Sequence, residues 1–248
     1  MEGRTDPGLP AYIADAWGLR ARPIKGPKRG LSLSRIVDAA VSVAASENLA
    51  AVSMSRVASE LGASPMSLYR YVSSKEDLLL LMVDAIYQAP PSVPMPGEAW
   101  REGLRRWAWE QRAILRRHTW ALYVPISGPP VTPNQITWLE HGLECLRTTE
   151  LAEGEKLSVI MLLSGYTRNE AMVTAEVQQA FLAAAPDERA AMASYGQLMR
   201  KLTDPERFPA LNQVIEAGVL DEPTGGDDEF VFGLDRILDG VGVLMHTR

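Results

Sequence analysis

Helical periodicity is the feature that most limits what this chain can fold into. After Ser32, the apolar residues Ile36, Ala39, Ala40 and Val43 are three or four positions apart, which places them on one face of a helix. Similar spacing recurs along almost the whole chain, and no segment shows a convincing strand pattern. The sequence therefore predicts an all-α protein, with Ser32 as the N-cap of the first long helix.

Two short helices joined by a tight turn are predicted next. Ser53 is a suitable N-cap for the first, and Gly62 supplies the positive φ that commonly ends a helix. Ser64 and Pro65 then begin a third helix, which we expect to extend from Pro65 to Val72. Two short helices separated by a glycine-containing turn are typical of a helix-turn-helix, whose second helix enters the DNA major groove.

The third helix carries exposed side chains that are suited to DNA. Leu68 and Val72 are four residues apart and can face the core, so their neighbours must cover the remaining surface. Serine and tyrosine hydroxyls can bond to phosphates, arginine can bind guanine or the backbone, and methionine and proline can contact thymine methyl groups. The alternative is an ordinary helical corner whose aromatic residues pack inward.

A fourth helix is expected to begin at the motif "SSKE", with Ser73 and Glu76 forming a capping box. Lys75 in this motif adds a cation where helix N-terminal amides already favour a phosphate.

Charge is divided unevenly along the chain. The net charge is −6, yet residues 1–75 carry ten Lys and Arg against six Asp and Glu, a net +4, which leaves −10 for residues 76–248. The proline- and glycine-rich stretch "PIKGPKRG" is predicted to be a mobile cationic arm, and we expect Lys25, Lys28 and Arg29 to reach the minor groove or flanking phosphates. The alternative is a merely solvated tail. The preceding "AYIADAWGLR" suits a short amphipathic helix, and the sequence assigns it no role.

The run from Leu33 to Tyr87 resembles the DNA-binding domain of the tetracycline repressor (TetR) family of transcriptional regulators. The resemblance rests on "SRIVDAAVSVAASENLAAVSM", "RVASELGAS" and "LYRYVSSKEDLL" at short, fixed separations. It implies DNA contacts from the start of the second helix, from the third helix and from the lysine that opens the fourth. The matching residues are Ser53, Ser55, Arg56, Pro65, Met66, Ser67, Tyr69, Arg70, Tyr71 and Lys75.

The family resemblance has one informative departure and several functional implications. Arg70 and Tyr71 stand where the family prototype has an aromatic residue and a histidine, so its operator sequence cannot be transferred. The resemblance implies a repressor that binds a palindromic operator as a homodimer and is released by a small-molecule effector. The expected organisation is an arm (1–31), a helix-turn-helix domain (32–89) and a C-terminal ligand-binding and dimerisation domain (97–248).

Helical segments of the C-terminal domain are predicted at about 98–118, 133–147, 154–184, 186–202, 209–217 and 229–245, with Thr132 and Gln135 as a capping box. The last helix has a wide apolar stripe, so we expect it to form a dimer interface with the long helix from Gly154, unless it is buried within its own subunit.

Residues with aromatic, aliphatic and polar side chains share helix faces in this domain, as small-molecule sites require. The residues favoured for effector binding are Trp107, Gln111, Trp138, Tyr166 and Asn169. The same spacing is also typical of helix faces that pack in the hydrophobic core and bind no ligand.

Several function classes lack their signatures. The sequence has no phosphate-binding Gly-rich loop, no nucleophile elbow and no zinc-protease motif, so we do not expect an enzyme. One cysteine and three scattered histidines give no metal-ligand spacing, and no cofactor is expected. No apolar run has the length of a membrane span, and the N-terminus does not resemble a signal peptide, so a cytoplasmic protein is expected. A helical adaptor that binds protein partners is the alternative to a DNA-binding regulator.

Overall fold

A computed structural model describes residues 9–19, 31–88, 97–223 and 225–246. Every regular element in these ranges is helical, which confirms the all-α prediction. No helix within them is long and apolar enough to cross a membrane. The chain divides into two compact units, Met1–Ile160 and Met161–Arg248.

The first unit contains seven complete α-helices among its described residues and the start of an eighth. They are α1 (Ala11–Ala16), α2 (Leu33–Ser46), α3 (Met54–Glu60), α4 (Pro65–Leu68), α5 (Lys75–Ile86), α6 (Trp100–Arg117), α7 (Pro133–Leu146) and the beginning of α8 (Glu153–Ala184). Short 3-10 turns lie at Leu49–Ala51 and Thr119–Tyr123. The predicted domain boundary falls on residues that the structure does not describe, and α6 and α7 belong to the same compact unit as α2–α5.

A continuous hydrophobic core holds α2, α3, α4 and α5 together. Ile36, Val43, Leu68, Leu78 and Met82 are almost completely buried in it, so each helix contributes the face that its apolar spacing predicts. The 3-10 turn at Thr119–Tyr123 also packs side chains into this core. Truncation of a core leucine such as Leu68 to alanine should cost about 2–5 kcal/mol.

The second unit is formed by the rest of α8 with α9 (Glu188–Leu202), α10 (Pro209–Glu216) and α11 (Asp228–His246). The Tyr166 ring of α8 stacks on Phe230 of α11 with 5.7 Å between centroids. Gly233 leaves space for that ring, since a Cβ there would overlap it. Arg200 and Asp221 form an ion pair that fixes the segment after α10 against α9.

The N-caps agree with the sequence at two helices and differ at two. Ser32 accepts a hydrogen bond from the Arg35 amide at 3.3 Å, and Ser53 accepts one from the Arg56 amide at 3.1 Å, as predicted. The predicted Ser73 and Glu76 box is wrong by one residue, because α5 begins after Ser74, whose hydroxyl accepts the Asp77 amide at 3.0 Å. The Asp77 carboxylate in turn accepts the Ser73 amide at 3.1 Å.

At α7 the predicted capping box is also wrong. Thr132 is the N-cap, but its side chain makes no capping bond. The Asp84 carboxylate from α5 takes that role instead, as described below.

The predicted third helix is shorter than expected. α4 ends at Leu68, and the chain continues through turns in which the Tyr71 amide donates to the Leu68 carbonyl at 2.8 Å. The short amphipathic helix expected in residues 11–20 is confirmed by α1 (Ala11–Ala16), which buries Ile13, so this part of the predicted arm (1–31) is helical.

Candidate nucleic-acid interface

A tight turn fixes the direction in which α4 leaves α3. Gly62 has φ +62°, the left-handed conformation that glycine adopts at low cost. The Ala63 amide donates to the Ala58 carbonyl at 2.9 Å, and the Gly62 amide donates to the Ser59 carbonyl at 3.1 Å. These two bonds form a Schellman motif, which closes α3 and sets the start of α4.

The segment Pro65–Tyr71 separates buried apolar residues from exposed polar and aromatic ones. Leu68 is fully buried, whereas Met66 is 74% exposed and Tyr69 is 47% exposed. Arg70 and Pro65 are also exposed. The alternative of an inward-packed corner therefore does not hold for Tyr69, and this surface can present a ring, a cation and a thioether to a partner.

Two residues expected on this surface are engaged within the protein. Tyr71 is half-buried, and its hydroxyl donates to the Leu31 carbonyl at 2.8 Å, so it fixes the start of α2 against the segment. The Ser67 hydroxyl lies 2.8 Å from the Ser64 hydroxyl and shares a hydrogen bond with it. This bond uses only one of the two hydroxyl hydrogens, so the other hydroxyl can still donate to a phosphate.

The start of α3 belongs to the same compact unit. Ser53 and Ser55 are exposed, and the Ser53 hydroxyl is committed as the N-cap. Arg56 makes ion pairs of 2.8 Å with Glu47 and with Glu60. Exposed pairs of this kind contribute at most about 1 kcal/mol, so a phosphate can compete for the guanidinium.

Lys75 is the first residue of α5, directly after the Ser74 cap, and is partly exposed. Glu76 and Asp77 follow it in the first turn. Because both acids counter the positive end of the helix, the lysine side chain must supply the attraction for a phosphate here. The predicted arm residues Lys25, Lys28 and Arg29 lie outside the described residues.

Among the predicted effector residues, Trp107, Gln111 and Trp138 belong to the first unit and are buried. The Trp107 indole donates to the Trp138 carbonyl at 2.9 Å, and the Trp138 indole donates to the Tyr87 carbonyl at 3.0 Å. The two tryptophan rings are 6.0 Å apart. These contacts place both tryptophans in the packing between α6 and α7, with a direct link to the end of α5.

Tyr166 and Asn169 belong to the second unit. The Tyr166 hydroxyl donates to the carbonyls of Glu229 and Phe230 at 3.0 Å each, so its polar group joins α8 to α11. Asn169 is exposed, next to the exposed side chains Leu162 and Val173 on the same helix face.

Asp84, in the first unit, makes contacts that no pattern in the sequence predicted. It is 5% exposed near the end of α5, and one carboxylate oxygen accepts the amides of Asn134 and Gln135 at 3.0 Å each. The other oxygen accepts the Asn134 side-chain amide at 3.0 Å. Burial raises the pKa of Asp84, and these hydrogen bonds offset part of that rise. The signal that could have revealed it is an acidic residue that ends the run "LLLLMV".

Comparisons with known proteins agree with this arrangement. A family model described as "Bacterial regulatory proteins, tetR family" matches residues 36–82, and one described as "Tetracyclin repressor-like, C-terminal domain" matches residues 93–245. The HTH-type transcriptional repressor DrrR1 of Streptomyces coeruleorubidus is 37% identical over 235 residues, which cover 94% of this chain and 85% of that protein.

Two solved structures extend the similarity to most of the chain. The Streptomyces coelicolor TetR family protein ActR in complex with (S)-DNPA superposes with a TM-score of 0.72 at 25% identity, covering 86% of this chain and 98% of that one. ActR in complex with actinorhodin superposes with the same TM-score at 26% identity, covering 85% of this chain and 94% of that one. This chain belongs to the tetR family of bacterial regulatory proteins.

Proposed function

We propose that this protein represses transcription by binding a DNA operator through the surface of Pro65–Lys75, and that a small-molecule effector releases it. Membership of a family of DNA-binding transcriptional regulators supports the first part. The observation that carries it is that the segment Pro65–Tyr71 has a buried side and an exposed side. Leu68 is fully buried, while Met66, Tyr69 and Arg70 are exposed. Folding alone gives no reason to expose those three side chains together.

The chemistry of this surface fits a duplex. Arg70 can bind a guanine edge or a phosphate, the Tyr69 hydroxyl can donate to a phosphate, and Met66 can contact a thymine methyl group. Lys75 supports the same surface with a cation at the start of α5. The same surface is extended at the start of α3 by Ser53, Ser55 and Arg56. On binding, the Arg56 guanidinium would give up an ion pair with a glutamate and bind a phosphate instead.

A selection experiment tests operator binding. The wild-type protein is used to select duplexes from a random pool, and the affinity of variants for the selected duplex is measured by gel shift. Arg70→Ala should weaken binding about 10-fold or more, because alanine cannot bind a base edge or a phosphate. Arg147→Ala is the matched control, since Arg147 is an exposed cation at the C-cap of α7. Failure to select any sequence would favour the adaptor alternative, and equal losses of affinity in both variants would place the interface elsewhere.

The cationic arm, with Lys25, Lys28 and Arg29, is proposed to bind phosphates or the minor groove beside the surface of Pro65–Lys75. Described residues support this, because Leu31, which follows the arm, is held by Tyr71 at the end of the α4 segment. The triple variant Lys25→Ala, Lys28→Ala, Arg29→Ala should reduce the dependence of log affinity on log salt by about 0.9 for each phosphate that the arm no longer neutralises. An unchanged salt slope would reject a role for the arm.

We further propose that two copies associate through the exposed apolar face of the second unit. Met161 and Leu162 on α8 and Phe232 and Val243 on α11 are 55–67% exposed, although all four are large and apolar. A two-fold dimer would cover this face and present two α4 surfaces to a palindromic operator.

Oligomeric state measured by light scattering tests the dimer. The substitutions Leu162→Asp and Phe232→Asp should each give a monomer, because they would bury an unpaired carboxylate in the interface. Ile126→Asp is the control, since Ile126 is 77% exposed and belongs to the first unit, whereas the proposed face belongs to the second. A wild-type monomer at micromolar concentration, or a dimer that survives both face variants, would contradict the proposed interface.

An effector site in the C-terminal helices is proposed by analogy with ActR, whose solved complexes contain (S)-DNPA and actinorhodin. Trp107, Gln111 and Trp138 in the first unit are one set of candidate contacts for an apolar or amphipathic molecule, and Tyr166 and Asn169 in the second unit are a separate set. Tryptophan fluorescence and release of the selected duplex can be screened together against such compounds. A panel that changes neither would count against an effector site.

A further inference from the structure

The N-terminal helix α1 makes contacts at two separate places in the first unit. It precedes residue 36, where the match to the DNA-binding family model begins. We propose that α1 is a clamp that joins the DNA-reading helices α2–α5 to the start of α7. The clamp acts in parallel with the Asp84 contact, so the two links hold α5 and α7 in one arrangement.

The first end of the clamp is apolar and lies on the DNA-reading helices. Ile13 is 4% exposed, and Tyr12 and Ala16 pack against the hydrophobic core that α2–α5 share. The Tyr12 hydroxyl also faces the carboxylate of Asp77, since burial first and then this neighbouring carboxylate raise the pKa of Tyr12. Because Asp77 completes the cap of α5, α1 contacts the turn that carries Lys75.

The second end is a directional hydrogen bond. The Trp17 indole donates to the Val131 carbonyl at 2.8 Å, and Val131 directly precedes Thr132, the N-cap of α7. Gly18, with φ +64°, ends α1 immediately after this tryptophan. The Leu19 amide closes the helix on the Ala14 carbonyl at 2.8 Å, so the indole is held at a fixed helix end.

These two ends close a loop of contacts with the Asp84 junction. Asp84 binds the amides of Asn134 and Gln135, three and four residues after the carbonyl that Trp17 binds. A displacement of the start of α7 from α5 must therefore break the Trp17 bond or pull α1 across α2–α5. If the protein acts as proposed above, such a displacement would reach both ends of α5, including the turn that carries Lys75.

The amides of Asn134 and Gln135 report directly on this junction, because both donate to Asp84. Their hydrogen-exchange rates scale with the fraction of time the junction is open. Trp17→Phe keeps an aromatic ring but removes the donor, and should accelerate exchange at both amides about 3- to 10-fold, the effect of one ordinary hydrogen bond. Asp84→Ala confirms that the two amides report on the junction, since it should accelerate them further.

A clamp makes a second, more specific prediction. Tyr12→Ala loosens the other end and should accelerate the same two amides, although Tyr12 packs on the core of α2–α5. When this substitution is combined with Trp17→Phe, the two amides should exchange no faster than in the faster of the two single variants. A clamp that is already open at one end cannot be opened again. Leu19→Ala is the control, since Leu19 is 64% exposed in the same segment and should change neither amide.

Two outcomes would overturn the clamp. One is faster exchange in Trp17→Phe that is confined to residues 11–19. The other is a double variant whose acceleration equals the product of the single accelerations, which would show independent contacts. The exchange measurement uses the full chain without DNA, so its result does not depend on whether duplex selection succeeds. The clamp and the proposed operator binding can therefore fail separately.

Discussion

Replacing Gly62 by alanine should destabilise the protein through backbone conformation alone. Gly62 has φ +62° in the turn between α3 and α4, and a Cβ built there meets no atom within 4 Å. No steric clash therefore contributes to the change. The cost is that of placing an L-residue in the left-handed region, about 1 kcal/mol or slightly more. For a chain of this size, that corresponds to a fall in Tm of about 2–4 °C.

The matched control for this prediction is Gly154→Ala. Gly154 lies in the first turn of α8, is exposed, and has no atom within 4 Å of a built Cβ. It is not among the glycines with positive φ, so alanine fits its helical conformation. The same substitution should therefore raise stability here by about 0.5 kcal/mol, because alanine loses less conformational entropy than glycine in a helix.

Thermal unfolding followed by circular dichroism at 222 nm measures both variants. The two substitutions add the same methyl group without steric contact, so opposite signs isolate the backbone effect. Gly62→Ala should also weaken duplex binding by more than its loss of stability accounts for, since the turn sets the direction of α4. A neutral or stabilising Gly62→Ala would refute the argument that the turn requires a left-handed residue.

Three further predictions depend on particular side chains. Asp84→Ala should lower the free energy of unfolding by about 2–3 kcal/mol, measured in urea, because three N–H donors lose a charged acceptor. Tyr71→Phe should lower Tm by about 2–4 °C through loss of the bond to Leu31, whereas a change in duplex affinity alone would contradict its anchoring role. Burial raises the pKa of Cys145 to about 11 from 9.0, so iodoacetamide should alkylate the native thiol at pH 8 about 100-fold more slowly than the urea-unfolded thiol. Because the folded pKa is the higher one, stability should also fall as the pH rises from about 9 through 11.

Local sequence signals predicted much of the structure of helices α2–α5. Ser53 and Gly62 mark the two ends of α3, and the spacing of Leu68 and Val72 correctly identified the buried side of the α4 segment. Each of these signals depends on residues within one or two helical turns. Where two neighbours could serve equally, the signal failed: either serine of "SS" can cap a helix, and the structure uses Ser74.

The contacts that organise the unit could not be read in the same way. Asp84 reaches Asn134 across 50 positions, Tyr71 reaches Leu31 across 40, and Trp17 reaches Val131 across 114. No local pattern specifies which distant carbonyl or amide a polar side chain will meet. Local patterns therefore predict an exposed Tyr71 and assign no role to residues 11–20, although both segments supply long-range contacts.

The most direct test of the central proposal is photo-crosslinking from the exposed side of α4. A benzophenone side chain is introduced at Met66, which is 74% exposed, and in a separate variant at Ile126, which is 77% exposed in the same compact unit. If α4 binds the operator, irradiation with the selected duplex should crosslink DNA from position 66 and not from position 126. No crosslink from position 66, or equal crosslinking from both positions, would contradict it.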